Sequence, residues 1–182
     1  MLSACDSGPM QRKFQATDVT GADFGKDFHL TDHHGKARSL ADFKGKVVAI
    51  FFGYIYCPDV CPTTMAELAS ALKQLGADAK RVQVLFVTVD PERDTPELLG
   101  QYVSAFNSTF LGLYGTPEQI AETAKEYKVF YQKEPGETPD TYSVSHSAGT
   151  YLYDRQGRLR LFVPYGRGSA IFAHDIKALL AE

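Results

Sequence analysis

Apolar positions along the chain fall into short continuous runs separated by stretches with helical spacing, which predicts strands alternating with helices. Val47–Phe52 is unbroken, β-branched and aromatic, the pattern of a central strand buried on both faces, and Val82–Val89 repeats it. Between them Pro62 opens a helix with Met65, Leu68, Leu72 and Leu75 on one side and Gly76 at its end. Asp94-Thr95-Pro96-Glu97 and Thr116-Pro117-Glu118 each start a further helix, with a capping oxygen, a proline and an acid in the first turn. In the second of these, Ile120, Ala124 and Tyr127 share a face. Thr109–Leu113 and Val129–Tyr131 read as short strands. Upstream, Phe28–Gly35 and Ala37–Phe43 form a hairpin entry that ends at the Gly45-Lys46 break. Downstream, Glu134–Ser145 carries Pro135, Gly136 and Pro139 and is expected to be a mobile loop. Gly149–Asp154 and Leu159–Val163 then pair across Arg155-Gln156-Gly157, and Ser169–Leu180 closes the chain as a helix with Ile171, Phe172, Ile176, Leu179 and Leu180 inward.

Composition narrows this picture. With 182 residues, 44% apolar and 23% charged, the chain supports one globular core that needs neither metal nor disulfide for stability. A net charge of −3 offers no footprint for nucleic acid, and the longest apolar run, Val47–Ile55, is interrupted by Gly53 and too short to span a bilayer. Met1-Leu2-Ser3-Ala4-Cys5 resembles a bacterial lipoprotein processing site without its upstream signal region, so the start looks truncated; the competing reading is a tail with an incidental cysteine. On the first reading Cys5 carries lipid, and Asp6 resembles a signal for retention on the inner membrane. The polar, aperiodic stretch that follows makes residues 1–23 a flexible tether and 24–182 the folded domain. The element order implies an α/β, thioredoxin-like fold: a central mixed β-sheet flanked by helices, with an N-terminal β-hairpin extension.

The candidate chemistry lies in Cys57-Pro58-Asp59-Val60-Cys61-Pro62. Cys57 follows a buried strand and Cys61 sits at a helix start, where orphan N–H groups and the helix dipole favour thiolates, so both sulfurs are expected to be reactive. Three intervening residues, rather than the two of a thioredoxin motif, let both sulfurs face one guest. A structural disulfide is the competing reading, although a bridge this local shortens no loop that the fold leaves open. His146 precedes a strand that the topology sets beside Val47–Phe52, which puts it within reach of the same metal; a loop histidine can also be merely solvated. His29, His33, His34 and His174 read as surface or packing residues, with His33-His34 able to trap adventitious metal.

Together Phe52-Gly53-Tyr54 before the Cys57–Pro62 loop, Val89-Asp90-Pro91-Glu92-Arg93-Asp94-Thr95-Pro96, and His146-Ser147 ahead of Tyr151-Leu152-Tyr153-Asp154 resemble the Sco (SenC) family of membrane-tethered copper proteins that assist cytochrome c oxidase assembly. The resemblance implies copper, as Cu(I) and Cu(II), on Cys57, Cys61 and His146. It also implies a metallochaperone whose partner is the copper-bearing subunit of the oxidase, with another periplasmic copper chaperone or a thiol reductant as a further partner. The chain would be a monomer on the periplasmic side of a bacterial inner membrane, held only through lipid at Cys5. Soft thiolates suit Cu(I) and imidazole adds affinity for Cu(II); zinc competes on spacing alone. Tyr56 stands where many members have His, and Ser145 where many have Asp, which leaves Asp90 as the candidate partner of the histidine. The alternative function is a thiol:disulfide oxidoreductase using Cys57 and Cys61 as its redox pair, which would not need His146. A peroxiredoxin fits poorly, because the Pro and Thr that precede a peroxidatic cysteine are not upstream of Cys57.

Overall fold

The two apolar runs become neighbours. In the computed structural model, described over residues 13–138 and 141–182, they form β4 (Val47–Gly53) and β5 (Val82–Thr88), with every residue buried. They pair in parallel from Val47 beside Val82 to Gly53 beside Thr88. The helix α1 (Val60–Leu75) makes the crossover between them, and α2 (Pro96–Phe106) makes the next one, from β5 to the parallel strand β6 (Leu111–Tyr114). On the other flank β9 (Gly149–Tyr153) runs antiparallel to β4, and β10 (Leu159–Pro164) antiparallel to β9. The short strands β1 (Thr17–Asp18), β2 (Leu30–Asp32) and β3 (Ala37–Arg38) complete an eight-stranded mixed sheet in the order β1-β10-β9-β4-β5-β6-β2-β3. Helix α3 (Pro117–Glu126) follows β6, and the closing helix α4 (Ser169–Leu180) packs on α1. Two crossovers between parallel strands, a hairpin and a terminal helix make the thioredoxin-like sandwich that the element order implies.

Local chemistry accounts for where the elements depart from expectation. Helix α1 starts at Val60, two residues before Pro62, because a first-turn proline gives up an N–H that has no helical partner anyway. The strand β6 starts later than Thr109, since the Asn107 side chain accepts from both the N–H and the hydroxyl of Thr109 and holds a turn there. Val129 and Phe130 belong to the exit from α3: Lys128 takes a left-handed φ of 54°, and the Val129 N–H reaches back to the Ala124 carbonyl at 2.8 Å. The strand β7 therefore begins at Tyr131 and runs to Glu134, pairing with β8 (Ser143–His146) in a separate two-stranded sheet. The expected loop over Glu134–Ser145 is thus a hairpin arm at both ends.

The folded domain also begins earlier than residue 24. Phe14 is buried, β1 pairs with β10, and the N–H groups of Gln15 and Ala16 donate to the wholly buried Asp175 carboxylate on α4. Residues 14–23 are therefore part of the sheet and its packing, while Cys5 lies outside the described residues. Among the described residues no helix is long and apolar enough to cross a membrane.

Candidate metal centre

The topology gathers three chain segments at one edge of the sheet: the exits of β4 and β5 and the entry to β9. Carboxyl ends of parallel strands are where open α/β sheets place their ligand sites. Here β4 stops at Gly53, and the reason for a glycine is steric: a Cβ would lie 2.7 Å from the Cys61 sulfur and 3.0 Å from the rings of Phe51 and Phe86. The Cys61 thiol thus packs directly on the strand backbone. The chain then turns through Cys57, whose N–H donates to the Tyr54 carbonyl at 3.3 Å, and enters α1 with Cys61 in its first turn.

The two sulfurs are not equivalent, which corrects the expectation that both favour thiolate. Cys57 is half-buried, whereas Cys61 has no exposed surface. A hydrogen bond from the Cys61 thiol, then one from His146 and the N–H groups of Asp59 and Cys61, pull the Cys57 thiol down to about 3 against the opposing effect of burial. The Cys61 N–H to Cys57 sulfur distance is 3.4 Å. Cys61 is pushed up instead, because it holds the shared proton and is desolvated. The helix start therefore serves one anionic sulfur, and the buried partner keeps its proton until something displaces it.

His146 is the last residue of β8, paired opposite Tyr131, and not a loop residue. Its Nδ1 lies 2.9 Å from the Ser147 carbonyl, an acceptor only, so Nδ1 donates there and Nε2 faces the Cys61 sulfur at 3.4 Å. The ring stands edge-on to Phe51 and Tyr54, with centroids 6.1 and 5.9 Å away. The three ligand atoms lie within 4.8 Å of one another, and among the described residues Cys57, Cys61 and His146 are the one such group of His, Cys, Asp or Glu. Metal–sulfur bonds of about 2.3 Å and metal–nitrogen bonds of about 2.0 Å ask for only small adjustments of that triangle, so the donor set fits a soft, low-coordinate ion.

Asp90 does not partner the histidine. Its buried carboxylate accepts from Arg93 Nε and from the Tyr142 hydroxyl, both at 2.6 Å, and the orienting partner of the imidazole is the Ser147 carbonyl. The other histidines lie elsewhere. His33 accepts from the Gly112 N–H and stacks on His34, His29 sits 3.8 Å from Asp27, and His174 bonds Asp175 at 2.7 Å. Motif reading missed Gly53 as a steric requirement, although its place four residues before Cys57 was visible. It also missed the exposed aromatic residues nearby in the chain and its pairing. The large hydrophobic residues that stay exposed among the described ones are Tyr56, next to Cys57 in the chain, Phe130, whose backbone bonds Ser147, and Tyr165, whose N–H donates to the Ala148 carbonyl.

The fold and the cluster define a class: thioredoxin-like proteins with a Cys–Cys–His cluster at the strand ends. The SCO1/SenC family model matches residues 16–181, and the chain belongs to that family. Copper-bound ScoI from Bradyrhizobium japonicum is 42% identical, with a TM-score of 0.77 over 87% of this chain and 100% of that one. Apo Sco1 from Thermus thermophilus is 41% identical, with a TM-score of 0.83 over 95% of this chain and 100% of that one. The mitochondrial SCO2 homolog of Homo sapiens is 42% identical over 141 residues, 76% of this chain and 52% of that protein. The chain spans about half the length of that curated relative.

Proposed function

We propose that this protein is a copper metallochaperone that holds Cu(I) and Cu(II) on Cys57, Cys61 and His146 and assists assembly of the copper centre of cytochrome c oxidase. The observation that carries the reading is the triad itself: two sulfurs and an imidazole nitrogen within 4.8 Å, with Nε2 already turned inward. Two soft thiolates select Cu(I), and the added nitrogen stabilises Cu(II), so one site serves both oxidation states. Copper rather than zinc is supported by the copper-bound relative described above. A partly exposed Cys57 next to the exposed Tyr56 suits a docking partner that brings its own ligands, here the copper-bearing oxidase subunit, another periplasmic copper chaperone or a thiol reductant. The protein acts as a monomer on the periplasmic side of a bacterial inner membrane, anchored through lipid at Cys5.

The thiol asymmetry favours a second activity on the same residues. A Cys57 thiolate attacks a partner disulfide to form a mixed disulfide; the Cys61 thiol, losing its proton, then closes a Cys57–Cys61 disulfide and releases the partner as a dithiol. A thiol reductant returns the pair to its starting state. Anaerobic Cu(I) titration against a chelator, with Cu(II) optical and EPR spectra, tests the main reading. Cys57→Ser and Cys61→Ser each abolish tight Cu(I) binding, while His146→Ala spares Cu(I) and removes the nitrogen-coupled Cu(II) signal. Unchanged Cu(I) affinity in either serine variant overturns it.

A further inference from the structure

Arg93 joins the two segments that carry the ligands. It sits in the turn between β5 and α2, and its guanidinium lies 3.5 Å from the centroid of the Tyr142 ring and 4.9 Å from that of Tyr56. Tyr142 leads directly into β8, which ends at His146; Tyr56 immediately precedes Cys57. The stack is fixed by a closed ring of hydrogen bonds. Arg93 Nε donates to one oxygen of Asp90 at 2.6 Å, the Tyr142 hydroxyl donates to the other at 2.6 Å, and Arg93 Nη1 donates to the Tyr142 carbonyl at 2.9 Å. Asp90 is wholly buried and the Arg93 side chain is 17% exposed, so these charge-assisted bonds act with little screening. A second contact repeats the grip: Glu92 pairs with Lys133 of β7 at 2.6 Å, and the same ammonium lies 4.8 Å from the Tyr142 ring.

We infer that Asp90, Arg93 and Tyr142 are positioning residues, forming a clamp that holds the β7–β8 hairpin against the Cys57 loop and thereby fixes His146 at the cysteine pair. The inference rests on the copper reading only for its consequence. Cu(I) is satisfied by two sulfurs, whereas Cu(II) requires the nitrogen, so the clamp sets the preference between oxidation states. It also gives Tyr56 a role at the position where the family pattern has histidine: the ring supplies the second face for Arg93.

Two measurements separate the clamp from the function it serves. In the reduced, metal-free protein, hydrogen exchange at the β8 amides reads hairpin docking directly. In the loaded protein, the ratio of Cu(II) to Cu(I) affinity reads its consequence. Arg93→Leu is expected to speed β8 exchange and lower Cu(II) affinity by about tenfold or more, the scale of one lost charge-assisted hydrogen bond, with Cu(I) affinity unchanged within about twofold. Arg93→Lys fails to rescue, because an ammonium cannot make the forked bonds and the stack together. Tyr142→Phe keeps the ring and deletes one hydroxyl, giving a few-fold change in the same direction; it decides the matter if Arg93→Leu does not fold. Wild-type β8 exchange in the folded variants, or Cu(II) and Cu(I) affinities falling in parallel, overturns the clamp. Loss of copper binding in the unsubstituted protein would sink the metallochaperone reading while leaving the exchange result to judge the clamp.

Discussion

Replacing Gly53 with alanine perturbs the proposed centre from beneath, without altering Cys57, Cys61 or His146. The added methyl would sit 2.7 Å from the Cys61 sulfur and 3.0 Å from the rings of Phe51 and Phe86. Non-bonded carbon atoms rest at about 3.5–4.0 Å, so the sulfur has to retreat by roughly 1 Å. Neither ring can make room, because both are wholly buried in the sheet core. Overpacking of this kind costs about 1–3 kcal/mol, and for a domain of this size each kcal/mol lowers Tm by roughly 2–4 °C. A fall of roughly 2–12 °C in the thermal midpoint follows. A retreat of that size is a large fraction of the 3.4 Å between the Cys61 sulfur and His146 Nε2, so the triad loses its geometry as well. Circular-dichroism melts and Cu(II) titration measure the two effects, and Cu(II) affinity is expected to drop more than Cu(I). A variant that melts with the wild type and shows the same Cu(II) spectrum would refute the argument that the strand backbone and the sulfur are in hard contact.

Two further outcomes follow from the titration of buried groups. With its thiol held at about 3, Cys57 should be alkylated by iodoacetamide at a rate nearly flat from about pH 5 to pH 8, with wholly buried Cys61 reacting only on unfolding. Mass spectrometry assigns the site apart from Cys5, and a rate rising tenfold per pH unit would contradict the shared-proton picture. Asp94, between the Thr88 hydroxyl and the Ile55 N–H, is raised by burial to about 6 from 3.8. The folded state therefore holds a proton that the unfolded chain releases, and this group's contribution to stability declines as pH rises from about 4 to 6. Asp94→Asn keeps an acceptor for both donors and does not ionise, so its Tm should fall less than wild type over that interval. Parallel Tm–pH curves would show that Asp94 does not titrate there.

Much of the fold was readable because its strongest signals are local. Continuous apolar runs fixed β4 and β5, and Thr-Pro-Glu starts fixed α2 and α3, whose capping threonines accept the N–H bonds that the pattern calls for. The hairpin β7–β8 escaped because Tyr131–Glu134 and Ser143–His146 are mostly polar, with Val144 alone fully buried, and prolines between them signal a loop. The N-terminal boundary failed for a related reason. Residues 14–23 have no periodicity, since a two-residue strand and a single buried carboxylate hold them.

Within the site, the division falls between groups that are close in sequence and groups brought close by pairing. Cys57 and Cys61 are four residues apart, so a strand end and a helix start locate both. His146 is 85 residues from Cys61, and the β4–β9 pairing, readable from topology, brings it near. What sequence order could not supply is the contact made by each polar group once there. Asp90 lies in a motif rich in charge, and its bond to Arg93 spans three residues, but its other partner, Tyr142, is 52 residues away inside a segment with loop composition. Its place in the family motif therefore marked Asp90 as a candidate partner of the histidine while misassigning what it holds: it braces the strand that carries the histidine, and the imidazole itself is oriented by the backbone carbonyl of Ser147, a group present at every position and visible in no motif.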